Sequence, residues 1–267
     1  MIKSLQSLRF LFAVMIFLHH YVGPVSIFLP MGPCGVSFFL MLSGMVMSYA
    51  YWDKVLSPDF KYGSSLKRRI IRLYPLHLLC LLMAIAWHVK DVNTEYIMCT
   101  IPSFFLVQSW IPVKEVYFGG NALAWCLCDL MFFYAIFPMM VRFLNNLKNK
   151  NGLGIFVASL LIIYVALTLL TPDSWIHPIL YINPLIRSVD FIIGMLAYLL
   201  YKRIGSNLSE LNFYKRTGLE MISILVVITI CLASACTELR YFASAIFVIP
   251  MFFTLVTFTS FNTKWGG

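Results

Sequence analysis

The sequence predicts an all-α fold: a polytopic transmembrane helix bundle of about eight crossings plus one short interfacial or re-entrant helix. Three observations predict it. Of 267 residues, 61% are apolar and 12% charged, more apolar matter than one soluble core of this length requires. The apolar residues come in runs long enough to span a bilayer, and the charges gather between the runs instead of alternating with them. The formal charge of +9 therefore reads as a topology signal. A nucleic-acid binder gathers Lys and Arg on an aqueous face with polar surroundings, which this chain does not do, so nucleic acid is excluded as a partner. Seven cysteines, odd in number and without a CxxC pair, give neither a disulfide framework nor a metal site.

The apolar runs fall at about 5–22, 36–51, 71–88, 97–110, 122–141, 154–171, 184–201, 219–236 and 241–260. In the first, Arg9, His19 and His20 crowd the core and no A-x-A site follows, so it is a retained helix rather than a cleaved leader. The fourth run is short, carries Pro102, and is followed by Pro112 and the Lys114/Glu115 loop, which marks it as interfacial or re-entrant. Charge placement tests this. Lys54, Lys61, Lys67, Arg68 and Arg69 put the stretch between the second and third runs in the cytoplasm, while 21–35 has no Lys or Arg, so the amino terminus is inside. A full fourth crossing would send Arg142, Lys148 and Lys150, and then Lys202, Arg203, Lys215 and Arg216, to the outside. Without it both loops return inside, 172–183 lies outside, and Lys264 ends inside. Eight crossings, in one domain over residues 1–267, follow.

Ionisable groups in hydrocarbon are costly, so each is a functional candidate. Arg9 and His20 stand eleven residues apart, about three helical turns and roughly 16 Å along one face. His20 then lies in the outer half of the first helix, where an imidazole is matched to general-base work near neutral pH; an interfacial His and a snorkelling Arg is the plainer alternative. In "SLKRRIIRLYP", Arg69 and Arg72 at i and i+3 open the third run at the cytoplasmic surface. Such a pair grips phosphates, or serves topology and anionic lipid. In "GGNALAWCLCDLMFFYAIFP", Asn121, Trp125, Cys128 and Asp129 follow helical spacing. A buried Asp129 needs a partner, either His20, as a triad Asp orients its His, or a neighbouring helix for packing only. In "YINPLIRSVDFIIGM", Arg187 and Asp190 at i and i+3 neutralise one another or recruit a polar ligand, and Gly194 allows close helix contact. Gly35 and Gly44 in "GVSFFLMLSG" do the same for the second run, with no nucleophile-elbow spacing present.

Taken together these stretches resemble the membrane-bound acyltransferase 3 family, which includes bacterial polysaccharide O-acetyltransferases. Its Arg, ten residues, His pattern is matched by Arg9 and His20, its R-x-x-R by Arg69 and Arg72 before "LYP", and its G-V-x-F-F-x-L-S-G by residues 35–44. Its N-x-x-x-W-x-L-x-x-E-x-x-F-Y-x-x-F-P pattern corresponds to Asn121 through Pro138 with Asp129 in place of Glu. The P-x-x-R-x-x-E-F-x-x-G-M pattern corresponds to Pro184 through Met195, with Asp190 in place of Glu. Family members have ten crossings with both ends cytoplasmic and a final S-Y-x-x-Y-x-x-H segment. That segment is absent here, so the resemblance implies a C-terminally truncated domain.

The resemblance implies transfer of an acyl group, most often acetyl, from cytoplasmic acyl-CoA to a hydroxyl of a cell-surface sugar or polysaccharide. Acetyl-CoA would be co-substrate and no metal would be needed. The protein would be a multi-pass protein of the inner (plasma) membrane with acyl-CoA, a glycan acceptor and the bilayer as partners. On this reading Arg9, Arg69 and Arg72 bind the donor, and His20, with Asp129 or Asp190 as orienter, is catalytic. Asn121, Trp125 and Arg187 meet the acceptor. The competing readings are a transporter of a small polar solute or acyl group that uses the intramembrane Arg, His and Asp, and an inactive truncated relative.

Overall fold

A computed structural model describes residues 4–21, 30–88, 90, 93–147, 151–235 and 243–261. Lys264, Lys148, Lys150, Cys236 and most of the Lys-free stretch 21–35 lie outside the described residues. Every regular element among the described residues is helical. In chain order they are α1 (Ser4–Tyr21), α2 (Met31–Leu56), α3 (Tyr62–Trp87), α4 (Thr94–Phe104), α5 (Lys114–Tyr117) and α6 (Trp125–Leu147), then α7 (Gly152–Leu170), the single turn α8 (Asp173–Trp175), α9 (Pro184–Ser209), α10 (Phe213–Ala235) and α11 (Ala243–Phe261). A π-helical stretch, Ile176–Ile182, joins α8 to α9.

Six helices are long and apolar enough to cross a bilayer: α2, α3, α6 with its preceding turn, α7, α9 and α10. The other two expected crossings are α1, which has 18 residues but carries Arg9, His19 and His20, and α11, whose stretch Phe247–Phe261 is apolar but shorter. The fourth apolar run does not form a spanning helix. α4 has 11 residues, about 16 Å of rise, and it closes where Leu106 adopts a left-handed φ of 53° and the Val107 N–H donates to Pro102 O, a helix stop that glycine usually makes. α7 shows Ile155, Ile162, Leu169 and Leu170 to the outside, as a helix facing lipid would.

The chain divides into two compact units, Met1–Tyr51 with Asp190–Gly267, and Trp52–Val189. In the first, α10 and α11 pair along their length and α1 packs on α11, where the Ser4 hydroxyl donates to Phe258 O at 2.6 Å. Phe12 of α1 stacks on Phe38 of α2 at 3.8 Å. α2 and α9 cross with their backbones in near contact: a Cβ on Gly194 would stand 1.8 Å from Met41 O, and one on Gly44 2.0 Å from Phe191 O. Each helix contributes one glycine, so small residues set how closely the helices approach.

In the second unit, irregular backbone between α4 and α6 must satisfy its polar groups internally if it sits at membrane depth. Side chains do this. Tyr74 OH donates to Phe104 O at 2.9 Å, and His77 Nε2–H donates to Ser103 O at 2.8 Å. Ser103 Oγ donates to Gly119 O at 2.8 Å, and Ser109 Oγ to Trp125 O at 2.9 Å. Ser103, Ser109 and His77 are all buried, so α3, the short helices and the start of α6 are stitched by hydrogen bonds where a soluble protein would use water.

Candidate active site

On α1, Leu5, Leu8, Phe12 and Met15 form the buried stripe, and His19 continues it four residues on. The structure places His19 half-buried, its ring against Gly32, where a Cβ would be 2.5 Å from Cδ2. His20 is exposed and Arg9 half-buried. The two imidazoles meet edge to face at 4.9 Å. The eleven-residue spacing therefore sets Arg9 and His20 on a common line beside the packed stripe, where neither is consumed by packing.

On α3, the Arg69 guanidinium lies 4.7 Å from the centre of the Tyr134 ring of α6, and Tyr62 OH donates to Ala135 O at 3.1 Å. α6 thus holds the opening turns of α3 at two points, and a guanidinium stacked on a ring is held in a fixed orientation. Arg72, one turn on, is exposed. Of the pair, one is anchored and one projects outward.

α6 begins after Asn121, whose Oδ1 accepts from the Leu123 N–H at 3.2 Å and so caps the turn Ala122–Ala124. Trp125 is the first residue of α6 and is buried, while Asp129, one turn further, is 0% exposed. The Trp125 ring lies 5.1 Å from that of Tyr181, and the Arg187 guanidinium lies over the Tyr181 ring, 5.4 Å from its centre. Cys126 is within electrostatic reach of both Asp129 and Arg187. The start of α6 and the start of α9 therefore bring Asn121, Trp125, Asp129 and Arg187 into one neighbourhood of the second unit. Arg187 and Asp190 are each 1% exposed, and Asp129, Arg187 and Asp190 all make interactions, as buried charges require.

Sequence reasoning missed the aromatic group that joins these residues. Along the π-helical stretch, the rings of His177 and Tyr181 meet at a tilt of 40°, their centres 5.2 Å apart. His177 Nδ1 lies 3.2 Å from Tyr117 OH, and Phe118 is 5.8 Å from the imidazole. Burial, and then the Lys114 ammonium, hold the His177 imidazole below the ordinary histidine value. Burial, and then Glu115, push the Tyr117 hydroxyl up. Both are neutral near pH 7 and share one hydrogen bond. The signal in the sequence was the His177/Tyr181 i, i+4 spacing just before Asn183–Pro184; the π-helical winding that aims both rings toward α5 and α6 is not readable from spacing, although such windings are frequent at functional sites.

Among the described residues, no group of three or more His, Cys, Asp or Glu is placed to hold a metal ion. A family model described as an acyltransferase domain, that of acyltransferase 3, matches residues 2–266. The chain belongs to the acyltransferase 3 family. Acyltransferase MdmB of Streptomyces mycarofaciens is 28% identical over 166 aligned residues, which cover 56% of this chain and 42% of that protein. The acyltransferase 3 chain here thus spans less than half the length of that relative. No solved structure is significantly similar to it. The family match runs across both compact units and includes every residue given a role above.

Proposed function

We propose that this acyltransferase 3 protein is an integral membrane O-acyltransferase that moves an acyl group, acetyl first among them, from cytoplasmic acyl-CoA to a hydroxyl of a cell-surface sugar or polysaccharide. Its two units act as one acyltransferase domain in the inner membrane, with the amino terminus cytoplasmic. The observation that carries this reading is the basic pair opening α3, where Arg69 is fixed on Tyr134 and Arg72 is exposed. One oriented guanidinium with an exposed neighbour suits the phosphates of coenzyme A. Arg9 adds positive charge for the same ligand.

In the reaction His20 takes the proton from the acceptor hydroxyl as its oxygen attacks the thioester carbonyl. The C–S bond then breaks, and the coenzyme A thiolate leaves and collects that proton. A carboxylate, Asp129 or Asp190, orients the imidazole. Asn121, Trp125 and Arg187 belong to the acceptor side, where Tyr181, packed against Trp125 and Arg187, offers a half-exposed ring surface for a sugar. The thioester is already activated, so base catalysis and positioning are the protein's contributions.

The test uses the full chain in its host's membranes, wild type beside His20→Ala and Arg69→Ala, given labelled acetyl-CoA and the membranes' own glycans. Label in glycan with the wild type alone supports the reading. Equal label in all three overturns the site assignment, and no label in any of them turns the reading toward transport.

A further inference from the structure

In the first unit, the start of α2 and the end of α10 bring two thiols together. Cys34 of α2 and Cys231 of α10 lie in side-chain hydrogen-bonding contact, and the two residues are 0% and 1% exposed. Both are thiols in the structure. Cys34 is the fourth residue of α2 and Cys231 the fifth from last of α10, so each stands about 4.5–6 Å along the axis from its helix end. The odd cysteine count and the absence of a CxxC pair hid this meeting, because only helix packing joins residues so far apart in sequence.

A single buried cysteine is a small apolar filler. Two that touch have a further chemistry: a disulfide needs its sulfurs at about 2.05 Å, and thiols already in contact stand within side-chain reach of it. The compartment then decides. With the amino terminus cytoplasmic, α2 begins and α10 ends at the outer face, where the stretch 21–35 has no Lys or Arg. Outer compartments are where disulfides form and persist. Both thiols lie close enough to a helix end to meet an oxidant before α10 packs on α2, and burial afterwards shields the bond from reductants.

We infer that Cys34 and Cys231 are a disulfide site that ties the outer end of α2 to that of α10. The inference rests on the orientation in the reading above. The oxidant is a protein disulfide of the outer compartment, a thiol oxidase. The Cys34 thiolate attacks one of its sulfurs and expels the other as a thiolate; the Cys231 thiolate then attacks Cys34 Sγ and expels the oxidase from the mixed disulfide. The pair loses two electrons and two protons, and the oxidase disulfide is reduced to two thiols. Tied in this way, α2 keeps Gly32, two residues before Cys34, against the His19 ring, so the bond braces the wall beside His20.

The experiment takes the full chain in its host's cells. Cells are quenched in acid and dissolved in denaturant, and the thiols of the chain are counted by the gel shift of a polyethylene glycol maleimide. All but two of the seven cysteines are expected to react, and all seven after dithiothreitol. Without reductant, mass spectrometry should find the Cys34 peptide joined to the Cys231 peptide. Cys34→Ala and Cys231→Ala each free the partner thiol. Each should lower the unfolding temperature by about 5–15 °C, the range for a disulfide in a chain of this size, with no further drop in the double variant. Asp59→Cys, in the exposed turn after α2, reports orientation through a membrane-impermeant maleimide on intact cells and should stay unlabelled. Seven reactive thiols without reductant and an unlabelled Asp59→Cys, or a link to a different cysteine, overturn the disulfide and leave the orientation standing. Seven reactive thiols with Asp59→Cys labelled overturn the orientation, and the disulfide with it.

Discussion

Gly194→Ala adds one methyl where α9 crosses α2. The new Cβ would sit 1.8 Å from Met41 O, and real Cβ atoms stay beyond 3.0 Å, so the backbones must part by at least 1.2 Å. The obstructing atom is a backbone carbonyl, which has no rotamer to change, so the whole crossing must shift. A gap of 0.5–1 Å already forfeits a quarter to a half of a van der Waals contact, and the loss extends to buried neighbours such as Phe191 and Met45. Overpacking of this kind costs about 3 kcal/mol, the upper part of its usual range, which for a chain of this size lowers Tm by roughly 6–12 °C. Gly44→Ala meets Phe191 O at 2.0 Å and should cost a similar amount. Because one widening of the crossing accommodates both methyls, the double variant should lose less than the sum of the two. Gly154→Ala on α7, where nothing lies within 4 Å, is the control and should be neutral or stabilising by up to about 1 kcal/mol. Thermal unfolding in detergent, followed by tryptophan fluorescence, reads all four proteins. If Gly194→Ala unfolds at the temperature of Gly154→Ala, or if the double variant is fully additive, the close crossing is not what holds α2 and α9 together.

Other measurements bear on the site. The His177 imidazole is held below its ordinary value of 6.5 by burial and then by Lys114. As pH falls the unfolded chain takes up that proton first, so the contribution of His177 to stability is fully present above about pH 6.5 and is lost as pH falls through the folded value. Lys114→Ala should move the His177 titration upward in NMR, and an unmoved titration would remove Lys114 from the account. Tyr134→Leu removes the ring beneath Arg69 and should raise the acetyl-CoA KM about two- to tenfold, the range of a cation–π contact, while Tyr134→Phe leaves it in place; equal KM values for Leu and Phe would refute the anchoring role. Ser103→Ala strips Gly119 O of its donor in a buried position and should cost about 1–3 kcal/mol by chemical denaturation, against an expected null effect at exposed Ser206.

Much of this protein can be read from periodicity and composition, because in a bilayer every spanning backbone must satisfy itself and long apolar runs have one solution. The helices, and the short fourth element that fails to cross, follow from run length, Pro102 and the distribution of Lys and Arg. The motif residues on α1, α3, α6 and α9 are legible for the same reason, since a charge in an apolar run is costly enough to stand out. Gly44 and Gly194 were visible as small residues, but their pairing was not, because it depends on which helices cross. The tertiary structure alone decided that His19 rather than His20 continues the packed stripe of α1, that Asn121 uses its Oδ1 to cap the turn before α6, and that Arg69 is the anchored member of its pair. It also decided that Tyr117, His177 and Tyr181, far apart in sequence and unremarkable singly, gather beside Trp125 and Arg187. Local sequence sets which backbone forms and which groups are costly to bury. Which side chains then share a cavity depends on helix rotation and on the π-helical winding ahead of α9, and those are settled only when the faces pack.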